Sequence, residues 1–457
     1  MLGNTIAAIA TPPGSGGIGI IRISGPDSRD ILRQVFRPAA NIGKLTPRHL
    51  YLGHAISPDG EAIDQIMAVY MPAPHSYTGE DVAELQCHGG YVVCREVLAA
   101  ALAAGAVPAE PGEFTSRAFI NGKMSLDQAE AVIDIIEAKS SEALKISARQ
   151  LSGSLQREIA AAADGLLDLL AELEMAVDYP EETDEQALAD RAEQAVKEAA
   201  AAVRRLLSQA KSGRYYRDGV LTAIIGPPNA GKSTLLNALL ECDRSIVTPM
   251  AGTTRDTIEE YYLLNGLPLR LVDTAGIRDT DDPIEQFGVE RSKKALADAD
   301  LILLLLDGSQ PIDDFWRDLL PSIRQRPLLI LLNKSDLPAC DATLTDITEL
   351  CSDVPLLRLS AKNGGGLDGL RAAIHNKLLT EGGGETLSGL INDRQKAALL
   401  SAEKALLSAG QHFELFFDAG LLSVDVQVAW QYLAEISGRA AAESVIDRVF
   451  ERFCLGK

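Results

Sequence analysis

Residues 226–233 read Gly-Pro-Pro-Asn-Ala-Gly-Lys-Ser, a G-x-x-x-x-G-K-S pattern set between an apolar run, Val220 to Ile225, and a helical one, Leu235 to Leu240. A strand feeding such a loop aims consecutive backbone N–H groups and a helix N-terminus at one point, which suits a polyanion. Lys232 is then expected to reach the β- and γ-phosphates of a nucleotide, and the Ser233 hydroxyl to hold magnesium. A glycine-rich turn that binds nothing is the competing reading, but the motif stands in the strand–loop–helix context that phosphate binding requires.

The residues downstream select the nucleotide. An apolar strand, Leu269 to Val272, ends in Asp273-Thr274-Ala275-Gly276, which places a carboxylate near magnesium and the Gly276 N–H near a γ-phosphate. Another, Leu328 to Leu332, ends in Asn333-Lys334-Ser335-Asp336. Guanine offers two adjacent donors that one carboxylate, Asp336, can accept as a pair, whereas adenine presents an acceptor there. That mismatch leaves the carboxylate facing a lone pair, which disfavours adenine. Ser360-Ala361-Lys362 follows a third apolar run, Pro355 to Leu359, and its backbone N–H suits the guanine oxygen. Each short motif alone also fits a surface turn. Four in this order, each after an apolar strand, predict an α/β GTP-binding domain in which Asn229, Ala230, Gly231 and Thr234 join the contacts.

Two positions depart from the Ras-like pattern. The residue after Asp-x-x-Gly, a water-orienting glutamine in Ras-type enzymes, is Ile277, whose side chain cannot do that work. Either hydrolysis is negligible or another polar residue of the same loop substitutes. Glu285 is the first choice and Arg278 the second, with a solvated surface acid as the alternative for Glu285. Asn229, inside the phosphate loop, can offer its amide oxygen to a monovalent cation where an arginine finger would otherwise deliver charge; capping of the backbone is the competing role.

The elements that must position these residues follow from composition. At 457 residues the chain is long enough for about three domains. No secretory signal opens it, and no apolar run reaches the ~18 residues needed to span a bilayer; Leu301 to Leu306 reads as a buried parallel strand. Cysteines at 87, 94, 242, 340, 351 and 454 form no C-x-x-C pair, which speaks against zinc and for a reducing cytoplasm. A net charge of −21 excludes nucleic-acid binding by a global field, so any RNA contact needs a partner or a local patch such as Lys211 to Arg217.

Residues 1 to about 120 alternate short β-rich runs (Thr5 to Ala10, Gly19 to Ile23, Ile66 to Tyr70, Val82 to Gln86) with turns and one helix near Arg95 to Ala104, an α+β pattern. Gly14 to Gly19 matches G-x-G-x-x-G, but Ile20 to Ser24 continues as a strand where a dinucleotide fingerprint needs a helix. From Ser125 to about Gln209 the spacing is helical, broken at Ser152-Gly153-Ser154 and Asp178-Tyr179-Pro180, and it is helical again from about Leu387 to Phe453. The GTP-binding stretch thus interrupts two helical flanks, and one helical domain built from both would satisfy their apolar faces. The expected fold is multidomain: an α+β N-terminal domain (1–121), a helical domain in two parts (122–215 and 380–457), and an inserted α/β P-loop G domain (216–379).

The chain ends Phe453-Cys454-Leu455-Gly456-Lys457, which does not match a prenylation box because Cys454 is followed by only three residues. Such a tail either frays or is anchored so that it presents a thiol and a charge. Taken with Ala10-Thr11-Pro12-Pro13-Gly14, Ile21 to Gly25, Tyr77 to Asp81, Glu84 to Gly90, Pro111 to Phe114, Asn121 to Lys123 and Gly252 to Asp256, it makes the chain resemble, from end to end, the MnmE (TrmE) family of tRNA-modification GTPases. Tyr179, Leu455 and a short loop before Ser360 are small departures that touch no proposed ligand.

That resemblance implies several roles. The N-terminal domain would be folate-binding-like, would form a homodimer, and would hold a 5-formyltetrahydrofolate-type donor through Arg22, Glu84 and Lys123, with Lys457 approaching. Glu84 suits the donor edge of a pterin and the cations suit a glutamate tail; a structural ion pair is the other account of Arg22 and Glu84. Cys454 would be the functional thiol. Potassium would sit among Asn229, Thr248, Met250 and Thr253, magnesium between Ser233 and Thr254, and Glu285 would position water, with Thr248 and Thr253 also near GTP. A flavoprotein partner, MnmG, would join in installing an aminomethyl-type group on the wobble uridine of tRNA, in the cytoplasm and away from membranes. Two other classes stay open: a ribosome-assembly GTPase, which the phosphate loop alone allows, and a folate-dependent one-carbon enzyme with a regulatory G domain.

Overall fold

Alternating apolar and polar residues in the first 110 positions pair into one sheet. The computed structural model describes residues 3–40, 45–242, 261–273, 296–379, 387–415, 417–454 and 456–457. The first strands and helices are β1 (Ile6–Ile9), β2 (Gly16–Ser24), α1 (Ser28–Val35), β3 (Phe36–Pro38), β4 (Tyr51–Ile56), β5 (Ala62–Met71), β6 (Val82–Gly89), α2 (Tyr91–Ala103), β7 (Val107–Pro108) and α3 (Glu113–Ile120). The sheet order is β3-β4-β5-β6-β2-β1-β7, with β1 and β7 parallel and the other neighbours antiparallel. Ile21 and Ile23 point into the core beside Val97 and Ala101 of α2. Arg22 therefore faces the other side, by the two-residue period of a strand. Glycine-rich β2 continues through Ser24, so residues 14–19 open no dinucleotide-binding helix.

One correction concerns helices: three, not one, precede residue 121 among the described residues. α1 and α3 have eight residues each, too few turns for periodicity to stand out. In α3 the buried Arg117 also interrupts the apolar face.

The helices that follow are α4 (Leu126–Ile136), α5 (Ser141–Leu151), α6 (Ser154–Asp178) and α7 (Glu185–Asp218). Two of their three breaks fall where the sequence placed them, at Gly153, whose φ is +85°, and at Tyr179-Pro180, while the third, at 137–140, carries no glycine or proline to mark it. Next come β8 (Val220–Ile225), α8 (Lys232–Cys242), β9 (Tyr261–Leu264), β10 (Leu267–Asp273), β11 (Leu301–Asp307), α9 (Asp314–Ile323), β12 (Leu328–Asn333), α10 (Asp341–Leu350), β13 (Leu356–Arg358) and α11 (Leu367–Leu379). The chain closes with α12 (Asp393–Leu415), α13 (Ala419–Ser437) and α14 (Glu443–Phe450).

Contacts divide these elements into two units: residues 1–133, 150–200 and 401–457 in the first, and 134–149 and 201–400 in the second. Within the first, α6 packs along α13. Leu155, Ile159, Ala163, Leu166, Leu170 and Leu173 form the buried stripe of α6, and Leu422, Val426, Ala429, Leu433 and Ile436 that of α13. Both stripes repeat at helical spacing, which is why neither helix is stable without the other's face. In the second unit the sheet order is β13-β12-β11-β8-β10-β9, parallel except for β9. Its central strands are almost wholly apolar, as a parallel sheet covered on both faces requires. No helix among the described residues is long and apolar enough to cross a membrane.

Candidate functional site

In the second unit, β8 lies between β10 and β11, so the phosphate loop leaves the sheet where the strand order diverges to either side. Ligands of open α/β sheets bind at such a point, outside the carboxyl ends of the strands. Gly226 has φ +153°, and a Cβ on it would overlap the Leu305 carbonyl of β11. At Gly231, φ is +102° and a Cβ would overlap the Asn333 amide. Any other residue at either position would push the loop off the sheet edge. Lys232 arches back over the loop and donates to the Gly226 and Pro227 carbonyls at 2.9 and 3.0 Å, which holds one positive charge at the loop mouth. Ser233 and Thr234 are exposed in the first turn of α8, so the Ser233 hydroxyl is free of core packing and fits the role of a magnesium ligand.

Asn229 adopts φ +60°. Asparagine tolerates this left-handed conformation better than most residues, so the backbone alone accounts for its type. Its exposed amide is also compatible with a cation ligand.

Asn333 joins the two halves of the site. Its Nδ2 donates to the Ala230 carbonyl at 2.7 Å, and its Oδ1 accepts from the Ala361 N–H at 2.9 Å. One buried side chain thus fixes the phosphate loop against the Ser360–Lys362 loop. Asp336 accepts from Ser360 Oγ at 2.6 Å through Oδ1. That bond is the main reason its carboxyl sits below the usual carboxylate range, with its own backbone N–H adding to the effect. Lys334 has φ +64° and donates through Nζ to Asp307 at 2.6 Å. Asp273 ends β10 in register with Ile224, two residues before Gly226. The structure therefore brings Asn229–Thr234, Asp273, Asn333, Lys334, Asp336, Ser360 and Ala361 to one edge of the sheet. Thr248, Met250, Thr253, Thr254, Thr274, Ala275, Gly276, Ile277, Arg278 and Glu285 lie outside the described residues.

Asp307 escaped the sequence reading. Burial raises its pKa, but hydrogen bonds from Lys334 and Ser309 outweigh this and leave the carboxyl below its ordinary value. It orients Lys334 within the Asn333–Asp336 segment. Its signal was available, since a carboxylate closing the apolar run Leu301–Leu306 repeats the pattern that singled out Asp273. The Lys211–Arg217 segment lies in the last turns of α7. Arg214 pairs with Asp300, Arg217 with Asp218 at 2.9 Å, and Tyr215 is buried in the core. Helix α7 buries Tyr215, while Lys211 and Arg214 stay exposed on its surface.

In the first unit, Arg22 of β2 and Glu84 of β6 are direct cross-strand partners joined at 2.9 Å. The guanidinium also lies over the Tyr77 and Phe114 rings, 5.5 and 5.8 Å from their centroids. Tyr77 is held by a 2.9 Å hydrogen bond with Thr115. Lys123 packs along Gly79 of the Tyr77 loop and donates to the Pro74 carbonyl at 3.1 Å. Buried Arg117 ties that loop down through Glu80, Glu113 and Asn4, a network that no local spacing announces. Cys87 and Cys94 lie 3.8 Å apart, sulfur to sulfur, in the core. Burial, then Cys94, pushes the Cys87 thiol up to about 12, which keeps it neutral.

The C-terminal tail reaches the same sheet. Phe450 and Phe453 pack with Phe119, Leu126 and Val132. Gly112, at φ +71°, meets the Phe450 carbonyl so closely that a Cβ would lie 2.5 Å from it. Gly456, at φ +91°, is pressed against the Ile9 carbonyl and Ala10. Ile9 follows Ala8, the strand partner of Arg22. Cys454 is exposed and reduced.

Comparison with known proteins covers the whole chain. A family profile described as "MnmE helical domain" matches residues 126–454, and one described as "GTP-binding protein TrmE N-terminus" matches residues 5–123. Proteins named "tRNA modification GTPase MnmE" are similar throughout. That of Chloroflexus aurantiacus is 45% identical over 463 residues, 100% of each chain. That of Heliobacterium modesticaldum is 43% identical over 470 residues, again 100% of each. That of Lactiplantibacillus plantarum is 43% identical over 460 residues, 99% of this chain and 98% of its own.

Proposed function

Because this chain belongs to the MnmE family of tRNA modification GTPases, we propose that it uses GTP hydrolysis to drive modification of the wobble uridine of tRNA at C5. A flavoprotein partner and a 5-formyltetrahydrofolate-type donor complete the reaction. The work divides over the stretches 1–121, 122–215, 216–379 and 380–457, and the protein acts as a homodimer in the cytoplasm.

In the G domain the loop N–H groups and Lys232 bind the phosphates, Asp336 and the Ala361 N–H read guanine, and Glu285 orients the attacking water. Ser233 and Thr254 would hold magnesium; Asn229, Thr248, Met250 and Thr253 would hold potassium. Both ions supply positive charge to the phosphate oxygens, and the folate supplies the one-carbon unit. In the N-terminal domain Glu84 accepts from the pterin edge while Arg22, Lys123 and Lys457 meet the carboxylates. Tyr77 and Phe114 support Arg22 from below and keep water from its face.

The observation that carries this reading is the seating of the tail. Gly456 against Ile9 and Ala10 seats the tail that carries Cys454 at the end of β1, the strand next to the β2 that bears Arg22. A GTPase that served only ribosome assembly would have no use for a cysteine-bearing tail anchored on a folate-like domain. The test is nucleoside analysis of tRNA from cells lacking the gene. C5-aminomethyl-type uridines should disappear, return with the intact gene, and stay absent with Glu285→Ala or Cys454→Ser. Normal nucleosides in the deleted strain would sink the reading.

A further inference from the structure

Lys123 and Arg439 flank an open cleft of about 460 Å³ in the first unit. Its volume is in the range of small-molecule sites. Its lining is unusual for this chain. Acids outnumber bases 64 to 43 overall, yet the ten lining residues include two cations and no carboxylate. The lining also includes the polar side chains Ser125, Gln128 and Gln156 and the apolar Phe119 and Met124. Arg439 pairs with Asp164 at 3.0 Å, but both side chains are more than half exposed. Such a pair is worth little, so the guanidinium can exchange it for a ligand carboxylate. Lys123 is anchored only loosely, through a neutral carbonyl, that of Pro74.

The cleft is linked to the Arg22–Glu84 site through Lys123. Lys123 packs on Gly79 of the loop whose Tyr77 lies under Arg22. A folate with its pterin at Glu84 and its first glutamate at Lys123 would point any further glutamates into this cleft. Resting on the folate reading above, we propose that the cleft is a subsite for the poly-γ-glutamate tail, and that the protein selects polyglutamylated over monoglutamyl donors. Each added γ-linked residue brings one carboxylate, which suits Arg439, and one amide, which suits Gln156, while Gln128 is held by Ser125 and the Leu151 carbonyl and shapes the wall; charge-assisted pairs like that with Arg439 are the stronger hydrogen bonds. A nucleic-acid backbone fits less well, since it calls for an exposed basic stripe rather than a concave site with an apolar wall.

The test is calorimetric titration of the full-length protein with mono-, tri- and pentaglutamyl 5-formyltetrahydrofolate. The triglutamyl form should bind about tenfold more tightly than the monoglutamyl form, the scale of one or two partly exposed charge pairs. Arg439→Gln should bring the two within about twofold without changing monoglutamyl affinity or GTP turnover, and Arg439→Lys should keep most of the preference. Gln156→Glu, which adds a repelling carboxylate and leaves Arg439 in place, should have the same effect as Arg439→Gln. Equal affinity of all three ligands for the unmutated protein overturns the subsite while leaving the folate reading standing. No binding of any of them overturns that reading itself. If Arg439→Gln weakens tRNA binding and leaves the polyglutamate preference intact, the cleft is an RNA contact and the proposal fails.

Discussion

Asp336 can read guanine because Ser360 holds one of its oxygens, fixing the carboxylate plane so that the other is presented in a set direction. The same bond lowers its pKa, so the acceptor stays ionised across the neutral range and loses guanine contacts only as the pH falls through that lowered value. Asp336→Asn should therefore exchange guanine for xanthine preference, since an amide donor suits the ring oxygen that xanthine presents. Competition binding of GTP against xanthosine triphosphate checks this, and an unchanged preference for GTP would remove Asp336 from the base-reading role. At this scale the sequence named residues that the fold gathers at one sheet edge, but not all of their contacts. Asn333 was legible as part of a guanine motif, yet its bond to Ala230, 103 positions away, is a long-range contact that no local spacing encodes. Arg117 was silent for a similar reason: it is buried in α3, and its partners Asn4 and Glu80 come from two distant loops.

Among the elements, those with a strong local signal were legible and the short ones were not. The breaks at Gly153 and Tyr179-Pro180 could be read because a positive φ and a proline each end a helix for a local reason. Strands β3 and β4 were missed: the first has three residues, and the second carries exposed Leu52 opposite exposed Met67, which blurs the alternation. For the tail, sequence physics left fraying and anchoring equally open, and the structure selects anchoring through packing that only the fold supplies. Phe450 and Phe453 hold its base and two left-handed glycines permit the close approach. Gly456→Ala should thus release the last residues without touching the rest of the fold. Amide exchange within 454–457 should speed up by about tenfold or more, the scale of losing ~1.4 kcal/mol of local stability, while GTP turnover and melting temperature hold. Formation of the modified uridine should fall with it. Unchanged exchange in the variant would mean that the tail is held by the phenylalanines alone.

For the whole molecule, the surplus of acids decides where catalytic charge comes from. A chain of net charge −21 concentrates small cations around itself, and the described part of the phosphate loop contributes one cation, Lys232. Under the proposed function, a potassium ion at Asn229 would supply the charge that an arginine finger gives elsewhere, where it is worth about 10³ to 10⁵ in rate. If dimerisation through the N-terminal domains keeps two G domains on one particle, their pairing is an intramolecular event at high effective concentration. Hydrolysis should then be faster in potassium than in sodium at equal ionic strength, by the same factor at low and high protein concentration. Asn229 also supplies a left-handed backbone position, so the informative substitution is Asn229→Gly, which keeps that conformation and removes only the amide. It should erase the difference between the two salts while leaving GTP affinity within about threefold. Asn229→Ala adds backbone strain on the order of 1 kcal/mol and should weaken binding as well. A potassium effect that survives Asn229→Gly would place the cation elsewhere and leave Asn229 with its backbone role.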